Sequence, residues 1–257
     1  MASRLTNIFF IAFFLTSFST FAQQKSFTPT RGEIVFSSSA IILDTAYFTN
    51  SLKENNKRLI KHLIKELAID TSEKIDTINL LSLVNGNITP KSFSENSDFR
   101  FLYKDAIIES HKILNNKRSN SFSIIDTKHT NYSDVTVLGD DTNAVDPIDF
   151  RYLKMKDKNI REFRNEKRLI NGYECFKVTF NYKVAFSEDE GFLAMISNNE
   201  QCSATYWVTE KIKSLFHPIS KEKEILEKYY PLEITYENPL HKGLILQYKL
   251  KSINLSD

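Results

Sequence analysis

Two cysteines, five histidines and one knot of aspartates are the residues in this chain whose chemistry could be recruited. Cys175 and Cys202 form an even count, which in an oxidising compartment is consistent with one disulfide. The alternative is two buried thiols that never meet, because sequence cannot show the close approach of Cα atoms that a bridge requires. His62, His111, His129, His217 and His241 lie far apart, with no His-Glu-x-x-His pair, so no zinc site is assigned. The run Gly139 to Asp149 (GDDTNAVDPID) gathers Asp140, Asp141, Asp146 and Asp149, oxygen ligands of the kind calcium takes. Its spacing does not fit the calcium loop of about twelve residues, and Asp, Asn and Pro are also what a solvent-facing turn uses. The ordinary turn is the expectation.

Enzymatic signatures are missing as well. No Gly-x-Ser-x-Gly elbow occurs, and the six glycines form no phosphate-cradling loop. Nothing singles out a glycosidase pair among the 32 acidic residues. No catalytic residue, metal or cofactor is therefore assigned, and a non-enzymatic role is the expectation. What the composition does hold in excess is aromatic: 20 Phe and 11 Tyr against one Trp. Many alternate along predicted strands, where they either fill a core or line a cavity for a hydrophobic ligand. Phe176, Phe180, Tyr182, Leu246 and Tyr248, on the apolar faces of the two clearest strands, are the candidate ligand-binding residues.

Those strands are Tyr173 to Phe186, with Phe176, Val178, Phe180, Tyr182, Val184 and Phe186 on one face, and Leu244 to Leu250. Further strands are expected at Gly32 to Leu43, Ile75 to Val84, around Phe99 to Tyr103, Ala106 to Leu114, Ser123 to Asp126, Val135 to Leu138, Phe150 to Lys156, Asn159 to Phe163, Cys202 to Thr209 and Leu232 to Tyr236. Asn115 to Ser121 reads as a loop. One long helix is expected from Ser51 to Ile69: Ser51 and Glu54 have capping-box spacing, and Leu59, Ile60, Leu63, Ile64 and Leu67 share a stripe. Lys221 to Tyr229 suggests a short helix before Pro231.

The first 22 residues have the form of a cleavable export signal: Arg4, an apolar run from Ile8 to about Phe18, then Thr20 and Ala22 before the cut. No cysteine stands there to carry a lipid anchor, and no later run reaches the roughly 20 apolar residues that span a bilayer. Residues 23–257 read as a single β-rich domain, without repeats or a long linker, placed in the periplasm or secreted. The 34 Lys and Arg are interspersed with 32 Asp and Glu, which gives no footprint for nucleic acid.

The C-terminal half carries a resemblance. NGYECFKVTF opening a strand, then ATYWVTEKI, then PLEITYE, then a closing strand ending LKSINL, resembles secreted envelope proteins of the GLPGLI type and their relatives. The segment KGLIL, at residues 242–246, keeps only a fragment of the motif that names that group. The resemblance implies a layout similar to periplasmic lipoprotein carriers, an incomplete antiparallel barrel around helices with a cavity for acyl chains, and it transfers no catalytic residue. The expectation is thus an α+β domain: a curved antiparallel sheet, half-barrel or sandwich-like, with one main helix packed on it. Its leading role is an envelope protein binding a hydrophobic ligand such as a lipid or acyl chain. The alternatives are an interaction or scaffold protein with a solid core, partnered by another envelope protein, and third a hydrolase with an unrecognised site.

Overall fold

A computed structural model describes residues 25–66, 97–185, 201–237 and 242–257. The expected export signal, the Ile75 to Val84 strand and the loop after residue 186 lie outside the described residues.

Twelve described strands form one open antiparallel sheet. In chain order they are β1 (Arg31–Ile42), β2 (Ser97–Lys104), β3 (Ile107–Leu114), β4 (Lys117–Asp126), β5 (Asn131–Leu138), β6 (Asp141–Ala144), β7 (Ile148–Asp149), β8 (Met155–Ile170), β9 (Tyr173–Val184), β10 (Cys202–Thr209), β11 (Tyr230–Glu237) and β12 (Leu244–Ser256). The spatial order is β6-β5-β4-β3-β2-β1-β12-β11-β10-β9-β8, with β7 against β5. Two antiparallel meanders are thus joined where β1 pairs with both β2 and β12. That junction is tight: Gly32 has φ +103°, and a Cβ there would stand 1.9 Å from the Asn254 carbonyl oxygen. Only glycine fits.

Short turns set the registers. Asn115 and Asn116, with φ 50° and 62°, make the two-residue link between β3 and β4. Positive φ at both central residues is the mark of the hairpin turn that matches strand twist. The expected loop from Asn115 to Ser121 is therefore only two residues long, and strand resumes at Lys117. Asn171-Gly172, with φ 45° and 87°, joins β8 to β9 in the same way.

The fold is mostly β. The long helix α1 (Thr45–Glu66) is accompanied only by α2 (Lys223–Leu226) among the described residues. α1 starts six residues before the expected capping box because Asp44 is the true cap: its Oδ1 accepts the Tyr47 backbone N–H at 2.9 Å. Ser51 sits inside the helix instead and accepts the Lys242 backbone N–H at 3.1 Å. Phe48 and Leu52 anchor α1 against Ala40, Ile42, Leu244 and Leu246. The expected Leu59, Ile60, Leu63, Ile64 and Leu67 stripe falls on side chains outside those described.

Residues opposite one another in the ladders share a face. Phe36, Phe101, Tyr103, Ile108, Ile125, Ile234, Tyr206, Val178 and Phe180 accordingly stand on one side, here the inner face, and all but a trace of each is buried. On β9 the even positions from Phe176 to Tyr182 are buried and Lys177, Thr179 and Asn181 half-buried, the alternation expected from the sequence.

Candidate functional site

The inner face is covered by the connection between β10 and β11, residues 210–229. Three contacts hold it down. At its start, the Phe27 backbone N–H donates to the Lys211 carbonyl and the Lys213 N–H to the Phe27 carbonyl, both at 2.8 Å. At its middle, His217 is wedged between the rings of Phe36 and Tyr230, each 4.8 Å away. Its Nδ1 accepts the Ile219 and Ser220 backbone N–H groups at 3.0 Å, so the proton rests on Nε2, which donates to the Pro231 carbonyl at 2.9 Å. Burial pushes His217 down to about 3, which leaves it neutral and makes it a structural histidine rather than a general acid.

The third contact is a polar knot around Glu222, only 3% exposed. Its Oε1 accepts the Tyr182 hydroxyl at 3.0 Å and its Oε2 the Ser220 hydroxyl at 2.5 Å. The Lys221 backbone N–H donates to Oε2 at 3.0 Å, and the Tyr236 hydroxyl lies 3.1 Å from both oxygens. Burial holds the Tyr182 and Tyr236 hydroxyls well above their ordinary range, so both remain donors. This is a carboxylate satisfied by hydrogen bonds, the condition under which burying one is tolerated.

The connection packs on both halves of the inner face: Ile212 and Phe216 join the cluster of Phe36, Phe101, Tyr103, Ile108 and Ile125. Ile225 and Tyr229 pack into the cluster of Phe176, Val178, Phe180, Tyr182, Ala204, Tyr206 and Ile234. Where Tyr103 of β2 and Ile108 of β3 meet the connection, a cavity of about 420 Å³ opens beside this packing. Tyr103, Ile108, Phe216 and Leu226 form its walls; Thr28, Pro29, Thr127, Lys213, Leu215 and Glu227 are also at its border. A smaller space of about 100 Å³ lies beside Phe101, Ile125, Phe150 and His217. The Phe150 and Phe216 rings, 5.1 Å apart and edge to face, link the walls of the two.

None of the five residues singled out from the sequence lines the larger cavity. Phe176, Phe180 and Tyr182 belong to the packed cluster, with Tyr248 half-buried against it. The Tyr248 ring meets Phe99 at 5.9 Å and Tyr236 at 6.1 Å. Leu246 lies against the helix anchor. The wall residues come from separate short runs, and only Tyr103 and Ile108 fell within strands expected from alternation.

The structure shows no disulfide between Cys175 and Cys202. They do stand on neighbouring strands, but Cys202 is opposite Tyr182, seven positions from Cys175, or roughly 23 Å at strand rise. Cys175 is fully buried in the cluster that includes Ile170, Tyr173 and Tyr230, opposite Arg168, whose guanidinium stacks 3.9 Å above the indole of Trp207. Burial pushes its thiol up to about 12, so it is a poor nucleophile. Denatured, unreduced protein should therefore titrate two thiols with a disulfide reagent, and Cys175 should stay unmodified while the protein is folded. A titre of zero after denaturation would contradict the placement.

Asp141 and Asp149 lie on the exposed strands β6 and β7, with Asp140 and Asp146 exposed beside them. Among the described residues no three His, Cys, Asp or Glu side chains are grouped to hold a metal. No described helix is long and apolar enough to cross a membrane.

No family model matches the chain, and no curated protein matches its sequence. The GLPGLI-type resemblance consequently rests on the short motifs themselves, which the structure places at the start of β9, along β10, at the start of β11 and in β12. Among solved structures, the chain is similar to the Mycobacterium tuberculosis lipoprotein LppX at a TM-score of 0.31 and 8% identity, over 88% of this chain and 90% of that one.

Proposed function

We propose that this is an exported, non-enzymatic protein of the cell envelope that holds a hydrophobic ligand, such as a lipid or acyl chain, between its sheet and the β10–β11 connection. The observation that carries the reading is the cavity of about 420 Å³ with Ile108, Phe216 and Leu226 in its wall. Its size falls in the range of small-molecule sites, roughly 300 to 1,000 Å³. The other half of the same face is filled by side chains such as Phe180, fully buried, so the space is local to one side.

The test pairs a mass measurement with a variant. A solvent extract of the purified protein should release a lipid in stoichiometric amount, and N-terminal sequencing should begin at Gln23. Phe180→Ala, in the solid half, should lose roughly 3 to 5 kcal/mol of stability yet still bind a fluorescent fatty-acid probe. A clean extract, together with wild-type protein that binds no such probe, would overturn ligand binding and leave the scaffold reading.

A further inference from the structure

We propose that the ligand of this cavity is an amphiphile with a single chain and an anionic head, the head resting at Lys213. The inference rests on the hydrophobic-ligand reading and narrows it to one chemical class.

Volume decides the number of chains. A cavity of about 420 Å³ stands near the lower end of the range of small-molecule sites, roughly 300 to 1,000 Å³, the scale of one alkyl chain. The wall suits a chain: Ile108, Phe216 and Leu226 present no polar side-chain group, and the Tyr103 hydroxyl is turned to its partner Tyr230, 3.4 Å away.

Charge at the border decides the head. Glu227 is within reach of Lys223, at 3.7 Å, which offsets its charge. Lys213 has no carboxylate within ion-pair distance among the described residues; its Nζ donates only to the Lys228 carbonyl, at 3.3 Å. The Ser214 and Thr127 hydroxyls donate to the Phe216 and Ala106 carbonyls, both at 2.9 Å. The border therefore offers Lys213, a cation with no carboxylate partner among the described residues, beside an apolar wall, and an anionic head on a single chain meets both. A free fatty acid and a lysophospholipid share this chemistry.

Calorimetric titration below the micellar limit tests it on the intact protein, using saturated alkyl carboxylates from octanoate to hexadecanoate, dodecyltrimethylammonium and a lysophosphatidate. Affinity should climb roughly fourfold per methylene and level off once the chain outgrows the cavity. Dodecanoate should bind roughly five- to tenfold more tightly than dodecyltrimethylammonium, the scale of one solvent-exposed charge contact. Lys213→Glu, an exposed position whose folding is checked by thermal melting, should abolish that preference, and Lys213→Gln should reduce it. Equal affinity for both head charges, or unchanged dodecanoate binding by Lys213→Glu, overturns the head assignment while ligand binding stands. Stoichiometric extraction of a two-chain phospholipid from vesicles overturns the single chain. If no amphiphile binds, the broader reading falls too. The mass of the molecule displaced from purified protein by tetradecanoate separates the fatty acid from the lysophospholipid.

Discussion

Between about pH 6.5 and pH 4.5 the protein is expected to lose stability through His217 alone, at a rate that rises from roughly 0.7 toward roughly 1.4 kcal/mol for each pH unit. In the unfolded chain this imidazole takes up a proton near its ordinary value of 6.5, whereas in the fold burial holds it down to about 3. The unfolded state therefore binds more protons throughout the interval, and stability falls as pH falls. His111, buried beside Arg118 and Glu109, is also held below its ordinary value by burial and adds in the same direction. Glu109, Asp126, Asp157 and Glu162, all held low by hydrogen-bond partners, contribute only near and below the ordinary carboxylate range. Denaturant midpoints measured at several pH values should show the slope. His217→Gln, which cannot be protonated, should be less stable at neutral pH and show a clearly shallower slope. A wild-type profile flat from pH 6.5 to 4.5 would mean that His217 is not held as the structure shows.

Glu222→Ala should cost roughly 3 to 5 kcal/mol, because it strands several buried donors at about 1 to 3 kcal/mol each. Those donors are the Tyr182, Tyr236 and Ser220 hydroxyls and the Lys221 N–H. Glu222→Gln keeps one acceptor but turns an amide donor toward other donors, so an intermediate loss is expected. The double variant Glu222→Ala with Tyr182→Phe should lose less than the sum of the singles, since both remove one interaction. Amide exchange should locate the damage: Ile225 and Leu226, in the connection, should lose protection before the ladder between β1 and β12. A Glu222→Ala protein within about 1 kcal/mol of wild type would show that the knot does not hold the connection.

Some of this was legible in the sequence because it depends on period alone. The alternation from Phe176 to Tyr182 dictates a buried face on β9, whatever packs there. Cys202 to Thr209 and the closing strand from Leu244 follow from the same rule, although β12 continues to Ser256 past a bulge opposite Val35 and Phe36. Other features turn on geometry that types and spacing leave open. Asn115-Asn116 could begin a loop or make a two-residue turn, and the positive φ of both residues settles it. Ser51 and Glu54 have the spacing of a cap, but Asp44 supplied one earlier and the helix ran through them. For Cys175 and Cys202, neighbouring strands were not enough; register put them at different heights.

The cavity was the least legible feature. Tyr103, Ile108, Phe216 and Leu226 are far apart in sequence and show no common pattern. Whether an apolar face is filled or lined depends on where a non-periodic connection lies across it. Here Ile225 and Tyr229 pack on the side of β9 and β10, Ile212 and Phe216 pack on β2 and β3, and the cavity remains at the border by Tyr103 and Ile108.

The most direct test of the central claim is to label the methyl groups of isoleucine, leucine and valine and follow their NMR shifts as dodecanoate is added. Ile108 and Leu226, in the cavity wall, should shift and saturate at one equivalent, whereas Val178 and Ile234, in the solid half, should stay in place. Shifts confined to Val178 and Ile234, with Ile108 and Leu226 unmoved, would contradict the account.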